Sequence, residues 1–289
     1  MNTIGTGTYS SVWRAKYMSS KLQTVLRKAL VSEKVCAIDT SDAFYVYNPY
    51  MSQPTGAVAA VAGTYSVSAW STTDDTCTVT DEASYAGHVF QFEKMLSSYN
   101  IIDARFDEMV YAVAERIDAF MVNLLCEDGT GTYSTPAGGF TTAANVPVII
   151  SNLASKVMGY ADVRNGMFLI IENTDVPGFI QAQLAAGFSY ADAALNNGFM
   201  SSYAGVDIYV VRTGTFVSAT IGTRSDFTNS GHRVFGIKNM ATLLRPANGS
   251  SYEEKSVSGK TGKEIAVVQP FGGKLWTQKA SLLIDITLV

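Results

Sequence analysis

The chain has 289 residues, of which 47% are hydrophobic and 16% charged, with a formal net charge of −4. That is enough apolar content for a large core, and too acidic a balance for a protein whose whole surface binds nucleic acid. Three cysteines, Cys36, Cys77 and Cys126, stand far apart without paired spacing, which argues against a disulfide framework or a zinc knuckle and for reduced thiols.

Charge is distributed unevenly along the chain. Residues 1–34 carry a balance of +5, residues 35–93 hold seven acids and no Lys or Arg, and the remainder sums to −2. The first residues lack the apolar stretch of a cleaved signal, and no apolar run approaches the roughly 18 residues that cross a bilayer, so a soluble protein is expected.

Taken in order, Met18, Leu22, Val25, Leu26 and Ala29 mark a short amphipathic helix within a Gly/Thr/Ser-rich arm. Residues 44–47 read as a strand. A Pro/Gly/Ala-rich stretch over 49–63 leads to two further strands, 64–70 and 76–80, joined by a polar turn at 71–75. Such a two-stranded excursion is marginal alone, so the expected support is another copy of the chain. Residues 89–92 return to strand.

Residues 100–125 carry the strongest pattern. Ile102, Phe106, Met109, Val113, Ile117, Phe120 and Leu124 recur at spacings of three and four, the period of one buried helix face. Asn100 could cap the start, Gly129 stands past the end, and Arg105, Asp107, Glu108, Glu115, Arg116 and Asp118 fall away from the seam. Beyond a linker at 129–139, helices are expected at 151–160 and 177–186 and buried strands at 167–172 and 206–211, a compact α/β unit. The tail reads as strands at 234–237, 265–268, 275–277 and 282–288, with a polar loop over 248–263.

No catalytic constellation emerges. Ser258-Gly-Lys-Thr261 resembles the end of a phosphate-binding loop, but Glu254 stands where its first Gly belongs and strand-like sequence follows. Gly187-Phe-Ser-Tyr-Ala191 falls one residue short of a nucleophile elbow and follows a helix instead of a strand. His88 and His232 have no second histidine or carboxylate at metal-ligand spacing, so no metal or cofactor is expected. The acid pairs Asp74-Asp75, Asp81-Glu82, Glu127-Asp128 and Glu253-Glu254 read as solvated turns.

The order of these parts resembles the major capsid protein of tailed bacteriophages, the Hong Kong 97-type α+β fold. The resemblance is one of layout and covers nearly the whole chain, resting most on residues 88–125, 166–184 and 271–289. It implies an N-terminal arm (1–40), an extended loop (41–92), a peripheral domain (93–145 and 234–289) with a spine helix at 100–125, and an axial domain (146–233). It implies a non-enzymatic coat subunit that self-assembles into pentamers and hexamers around double-stranded DNA, in the host cytoplasm and then the virion, with a portal and a decoration protein as further partners. No Lys stands in residues 35–93, so crosslinking of shells by an isopeptide bond from this loop is not expected. The chain reaches its arm and loop almost at once, which implies a separate scaffolding protein.

Subunit-interface candidates follow from the same reading. They are the basic arm residues Arg14, Lys16, Lys21, Arg27 and Lys28, the loop residues Tyr65, Val67, Trp70, Asp74, Asp75 and Val79, and Glu253, Glu254, Lys255, Lys260 and Lys263 of the polar loop, where three capsomers would meet. Two alternatives stay open: a bacterial nanocompartment shell of the same fold, enclosing an enzyme, and a soluble α/β enzyme with its pocket in residues 146–230.

Overall fold

The computed structural model describes residues 30–51, 72–89, 101–185, 199–225, 227–256 and 261–289. Arg14, Lys16, Lys21, Arg27, Lys28, the arm helix, Tyr65, Val67, Trp70, the Asn100 cap, the 187–191 motif and Lys260 lie outside them, as do the expected strand at 64–70 and most of that at 89–92.

A helix, α2 (Ile101–Glu127), runs through the molecule for 27 residues, about 40 Å at 1.5 Å per residue. Its first half is amphipathic: Met109, Val113 and Ile117 are buried on the expected face. In its second half Phe120, Met121, Val122, Leu124, Leu125 and Cys126 are all buried, because the helix there has protein on every side.

One side is a five-stranded sheet of β1 (Ala37–Asp39), β12 (Ala241–Leu244), β14 (Lys263–Leu275), β13 (Ser251–Ser256) and β6 (Asp81–Val89). The 13-residue β14 is its axis. Residues 263–268 pair with β13 and residues 272–275 with β12, while β6 runs antiparallel along residues 263–271. Pro270, which cannot donate to a ladder, stands between the β13 and β12 pairings. The tail was expected to break into separate strands at 265–268 and 275–277, with a loop over 248–263. Instead one strand spans the first of these and ends at Leu275, residues 277–282 form a 3-10 turn, and residues 251–256 of the polar stretch are the hairpin partner β13. Polar composition concealed that strand because both of its faces are exposed.

The second sheet has the order β7-β15-β11-β8-β10-β9, from β7 (Gly131–Ser134), β15 (Leu283–Thr287), β11 (His232–Ile237), β8 (Met167–Glu172), β10 (Val206–Val211) and β9 (Phe199–Tyr203). Parallel β8 and β10 are central and mostly apolar, as buried parallel strands are, with Glu172 closing β8 and Asp207 the one charged residue of β10. Its strands come from both sides of the expected boundaries at 145/146 and 233/234, so those boundaries are not edges of sheets. Helices α3 (Asn145–Val157) and α4 (Val176–Ala185) accompany it. α3 begins six residues before the expected 151 because Pro147 falls in its first turn, where a missing N–H costs nothing. Val146, Ile149, Ile150, Leu153, Ala154 and Val157 form its buried face.

A pair of glycines on β14 lets three elements converge. A Cβ on Gly273 would meet Met121 Sδ at 2.6 Å, and one on Gly272 would lie 2.1 Å from the Thr78 carbonyl oxygen. Gly272→Ala is therefore expected to cost about 1–3 kcal/mol and to lift the Thr78 segment from the sheet, seen as faster proteolytic nicking near residue 78. Unchanged nicking and melting temperature would contradict this packing.

Candidate assembly surfaces

A hairpin leaves the body beside β6. Its arms are β2 (Tyr45–Tyr47) with β5 (Thr76–Thr78), and β3 (Tyr50–Met51) with β4 (Thr72–Thr73), both antiparallel. This corrects the expected pairing of 64–70 with 76–80 about a turn at 71–75. Ser71–Asp75 has turn composition, but Thr72 and Thr73 are β-branched and pair with Tyr50 and Met51.

Alternation gives the hairpin two chemically different faces. Val46 stands opposite Cys77, which is buried and whose thiol burial pushes up to about 11. Tyr45 and Tyr47 share the other face, their rings 5.1 Å apart edge to face. They are 55% and 61% exposed, and neighbouring Phe44 and Met51 are 73% and 54% exposed. These residues were not among the interface candidates, although alternation of Tyr45-Val46-Tyr47 was visible. Val79, which was, is half-buried and donates its N–H to the Phe44 carbonyl at 2.9 Å.

Of the acidic candidates, Asp74 is exposed but Asp75 is buried. Asp75 accepts the Thr277 N–H at 2.7 Å and faces Lys274 Nζ at 3.3 Å, so it pins the hairpin base to the end of β14 instead of facing solvent. Burial pushes this carboxyl up, but the Thr277 amide and hydroxyl and Lys274 outweigh it, leaving it below the ordinary value. Stability from the contact is complete above the ordinary carboxylate pKa and is lost as pH falls through the lowered one. Asp75→Ala is expected to cost about 1–3 kcal/mol at neutral pH. The gap to the parent should close below about pH 4. Urea unfolding across pH measures both, and a gap independent of pH would contradict the assignment.

Other expected solvated acids are also engaged. Asp81 is buried and accepts the Thr223 N–H at 2.6 Å. Glu127 accepts from Thr228 N–H at 3.1 Å, and Asp128 pairs with Arg224 at 2.8 Å. Each carboxylate holds the segment between β10 and β11 against the body. Asp74 and Glu82 are exposed, but only in the pair Glu253-Glu254 do both members match the solvated reading. Exposed on β13, they pair with Lys255 and Lys263, which are exposed too.

Two polar residues of α2 escaped the periodicity. Asp118, expected on the outer face, is buried and accepts the Val31 and Ser32 N–H groups at 2.8 and 2.7 Å. It thereby holds the first turn of α1 (Ser32–Val35), where the chain enters from the arm. Burial pushes its carboxyl up against the opposing pull of those amides. Asn123, fully buried, donates to Thr215 O at 2.8 Å and accepts Val217 N–H at 3.0 Å.

His232 also departs from expectation. Its Nδ1 lies 2.8 Å from Asp285 Oδ1, and the Cys126 thiol donates to the same oxygen at 3.1 Å. Spacing along the chain hid this carboxylate because β11 and β15 meet only through sheet pairing. A groove of about 470 Å³ between β6 and α2 is lined by Tyr85, Val89, Arg105, Glu108 and Met109 among others, with no histidine or cysteine among its described lining residues. No helix among the described residues is long and apolar enough to cross a membrane.

No protein-family model matches the chain. No curated protein matches it either. Solved structures do match, nearly end to end. The capsid of the cyanophage P-SCSP1u superposes with a TM-score of 0.71 at 11% identity, covering 94% of this chain and 92% of that one. The fold is that of the phage capsid proteins. A Mycobacterium phage Che8 structure (TM-score 0.69, 15% identity, 93% and 94% covered) and the capsid of an empty GTA particle (0.69, 14%, 94% of both) share it.

Proposed function

We propose that this chain is the coat subunit of an icosahedral phage-type head, copies of which assemble as pentamers and hexamers around packaged double-stranded DNA. The observation that carries the reading is the match to capsid structures over 94% of the chain. The hairpin supports it: a monomer that displays four large apolar side chains on one thin arm has a surface awaiting a partner. Symmetry repeats such an interface around each ring, so modest contacts add up through closure. The GTA capsids that match were computed with C5 symmetry, which fits a closed shell with fivefold vertices. Virion localisation, a separate scaffolding protein and a portal belong to the same proposal.

Within the shell, the basic arm (Arg14, Lys16, Lys21, Arg27, Lys28) lies against the acidic side of a neighbour's extended loop. Asp42, which accepts the Asn248 N–H, and Asp75 and Asp81 are used inside the chain, so Asp74 and Glu82, both exposed, are the described acids of the loop left for that pairing. Glu253, Glu254, Lys255, Lys260 and Lys263 contribute where capsomers meet. Assembly yield should then fall as salt shortens the screening length from about 8 Å at physiological strength to about 3 Å at 1 M; a yield indifferent to salt would remove the arm–loop pairing. The test of the function is expression with and without the neighbouring genes, followed by imaging and nuclease treatment. Closed particles with protected DNA are expected, whereas particles filled with a protein cargo would favour the nanocompartment.

A further inference from the structure

The end of α2 and two strands of the second sheet bring together a set of donors that no part of the capsid reading uses. Cys126 is the penultimate residue of α2, His232 opens β11, and Asp285 lies on β15. In the antiparallel register Asp285 stands opposite Val234, so His232, two residues away, is on the same face. Sγ, the imidazole nitrogen and a carboxylate oxygen all lie within 4.8 Å of one another. We propose that Cys126, His232 and Asp285 form a binding site for one divalent cation of the zinc class.

Several features favour that ligand. A thiol, an imidazole and a carboxylate together are the donor types of zinc sites, and three protein ligands leave the fourth tetrahedral position to water. Water has access, since the His232 and Asp285 side chains are 23% and 21% exposed. The ligand atoms of a zinc tetrahedron lie about 3.3–3.6 Å apart, from bonds of about 2.0–2.3 Å. The Sγ–Oδ1 and Nδ1–Oδ1 distances of 3.1 and 2.8 Å therefore open by a few tenths of an ångström when an ion replaces the shared protons.

The local field also favours a cation. The last turn of α2 contains no basic residue, so the helix supplies no positive charge of its own against the negative end of its dipole. Burial, then Asp285 and Glu127, push the Cys126 thiol up, with Arg233 opposing. The same carboxylates that oppose a bare thiolate attract a metal ion. Binding releases the thiol proton to solvent and leaves the imidazole neutral with its proton on Nε2. Two charges on the ion are then balanced by thiolate and carboxylate, and affinity rises with pH. Such an ion would tie the buried end of the spine helix to the sheet.

The test is cobalt titration of the purified, chelator-stripped, reduced chain, followed by absorption. One equivalent per chain is expected, with a sulfur-to-cobalt charge-transfer band and intense tetrahedral bands, displaced by zinc. Cys126→Ser should lose the charge-transfer band, while Cys36→Ser and Cys77→Ser keep it. Zinc should raise the melting temperature of the parent by several degrees and leave Asp285→Asn unmoved. If Cys126→Ser fails to fold, His232→Gln and Asp285→Asn decide by their cobalt stoichiometry. A folded parent that shows no thiolate band in excess cobalt, or a band that survives in Cys126→Ser, overturns the site and leaves a hydrogen-bonded network. Either result is independent of whether the chain forms shells.

Discussion

Arg233→Met is expected to destabilise the folded chain by about 3–5 kcal/mol, enough to unfold many domains at physiological temperature. Arg233 is almost completely buried beside two buried carboxylates, with Nε 2.5 Å from Asp175 Oδ2 and one terminal nitrogen 3.1 Å from Glu172 Oε2. Its other terminal nitrogen donates to the His232 carbonyl at 2.6 Å, and the guanidinium lies over the Phe216 ring at 5.6 Å. The carboxylates have further duties: Glu172 accepts the Gly214 N–H at 2.9 Å, and Asp175 accepts the Glu172 N–H at 3.2 Å. Removing only the cation strands two negative charges out of water, which costs more than the pair contributes net. A variant neutralised throughout, R233M/E172Q/D175N, should recover much of the loss. Urea denaturation of the unassembled chain, read as a midpoint shift at constant slope, checks both. A single variant within about 0.5 kcal/mol of the parent would show that the charges are relieved some other way.

The triple substitution Phe44→Ser, Tyr45→Ser and Tyr47→Ser is expected to abolish particle formation while leaving the chain folded. In the single chain these rings are more than half exposed, so replacing them changes surface and is worth within about 0.5 kcal/mol of stability. In a shell each ring buried against a neighbour contributes about 1.5–3 kcal/mol. Each such loss is about tenfold or more in the association constant, repeated at every copy of the contact. This variant probes the interface more cleanly than a deletion of residues 64–80, which would remove Asp75 and Cys77 and with them the anchoring of the hairpin base. Parent-like particles from the triple variant would exclude this exposed aromatic cluster as a subunit contact.

How much was legible in the sequence depended on what holds each element. The spine helix, the central strands β8 and β10 and the helix α4 were readable because burial dictates their residues directly: Met109, Val113, Ile117, Phe120 and Leu124 keep helical period, and Met167–Glu172 is uniformly apolar at its core. The strands β7 and β13 were not. β7 is a Gly/Thr edge strand that pairs with β15, and β13 carries Ser, Tyr, Glu and Lys on two exposed faces, so pairing rather than burial makes them strands. The assembly candidates show the same division. Exposed charges on β13 could be recognised by composition, whereas the buried duties of Asp75, Asp81 and Asp118 arise from segments up to 202 residues away. Residue spacing carries no trace of such contacts, and a lone acid in a turn-like stretch reads as solvated until its partner is known. The exposed face of Tyr45 and Tyr47 lies between these cases: alternation announced a strand, but only the position of Cys77 shows which face turns inward.

The most direct measurement of the central claim is the size of the purified protein, by light scattering and negative-stain imaging, produced together with its neighbouring genes. The coat-subunit account predicts closed hollow particles built from many copies of this chain, with nuclease-protected DNA inside when packaging genes are present. A single-chain species under every condition of co-expression, with no particles on the grid, would contradict it.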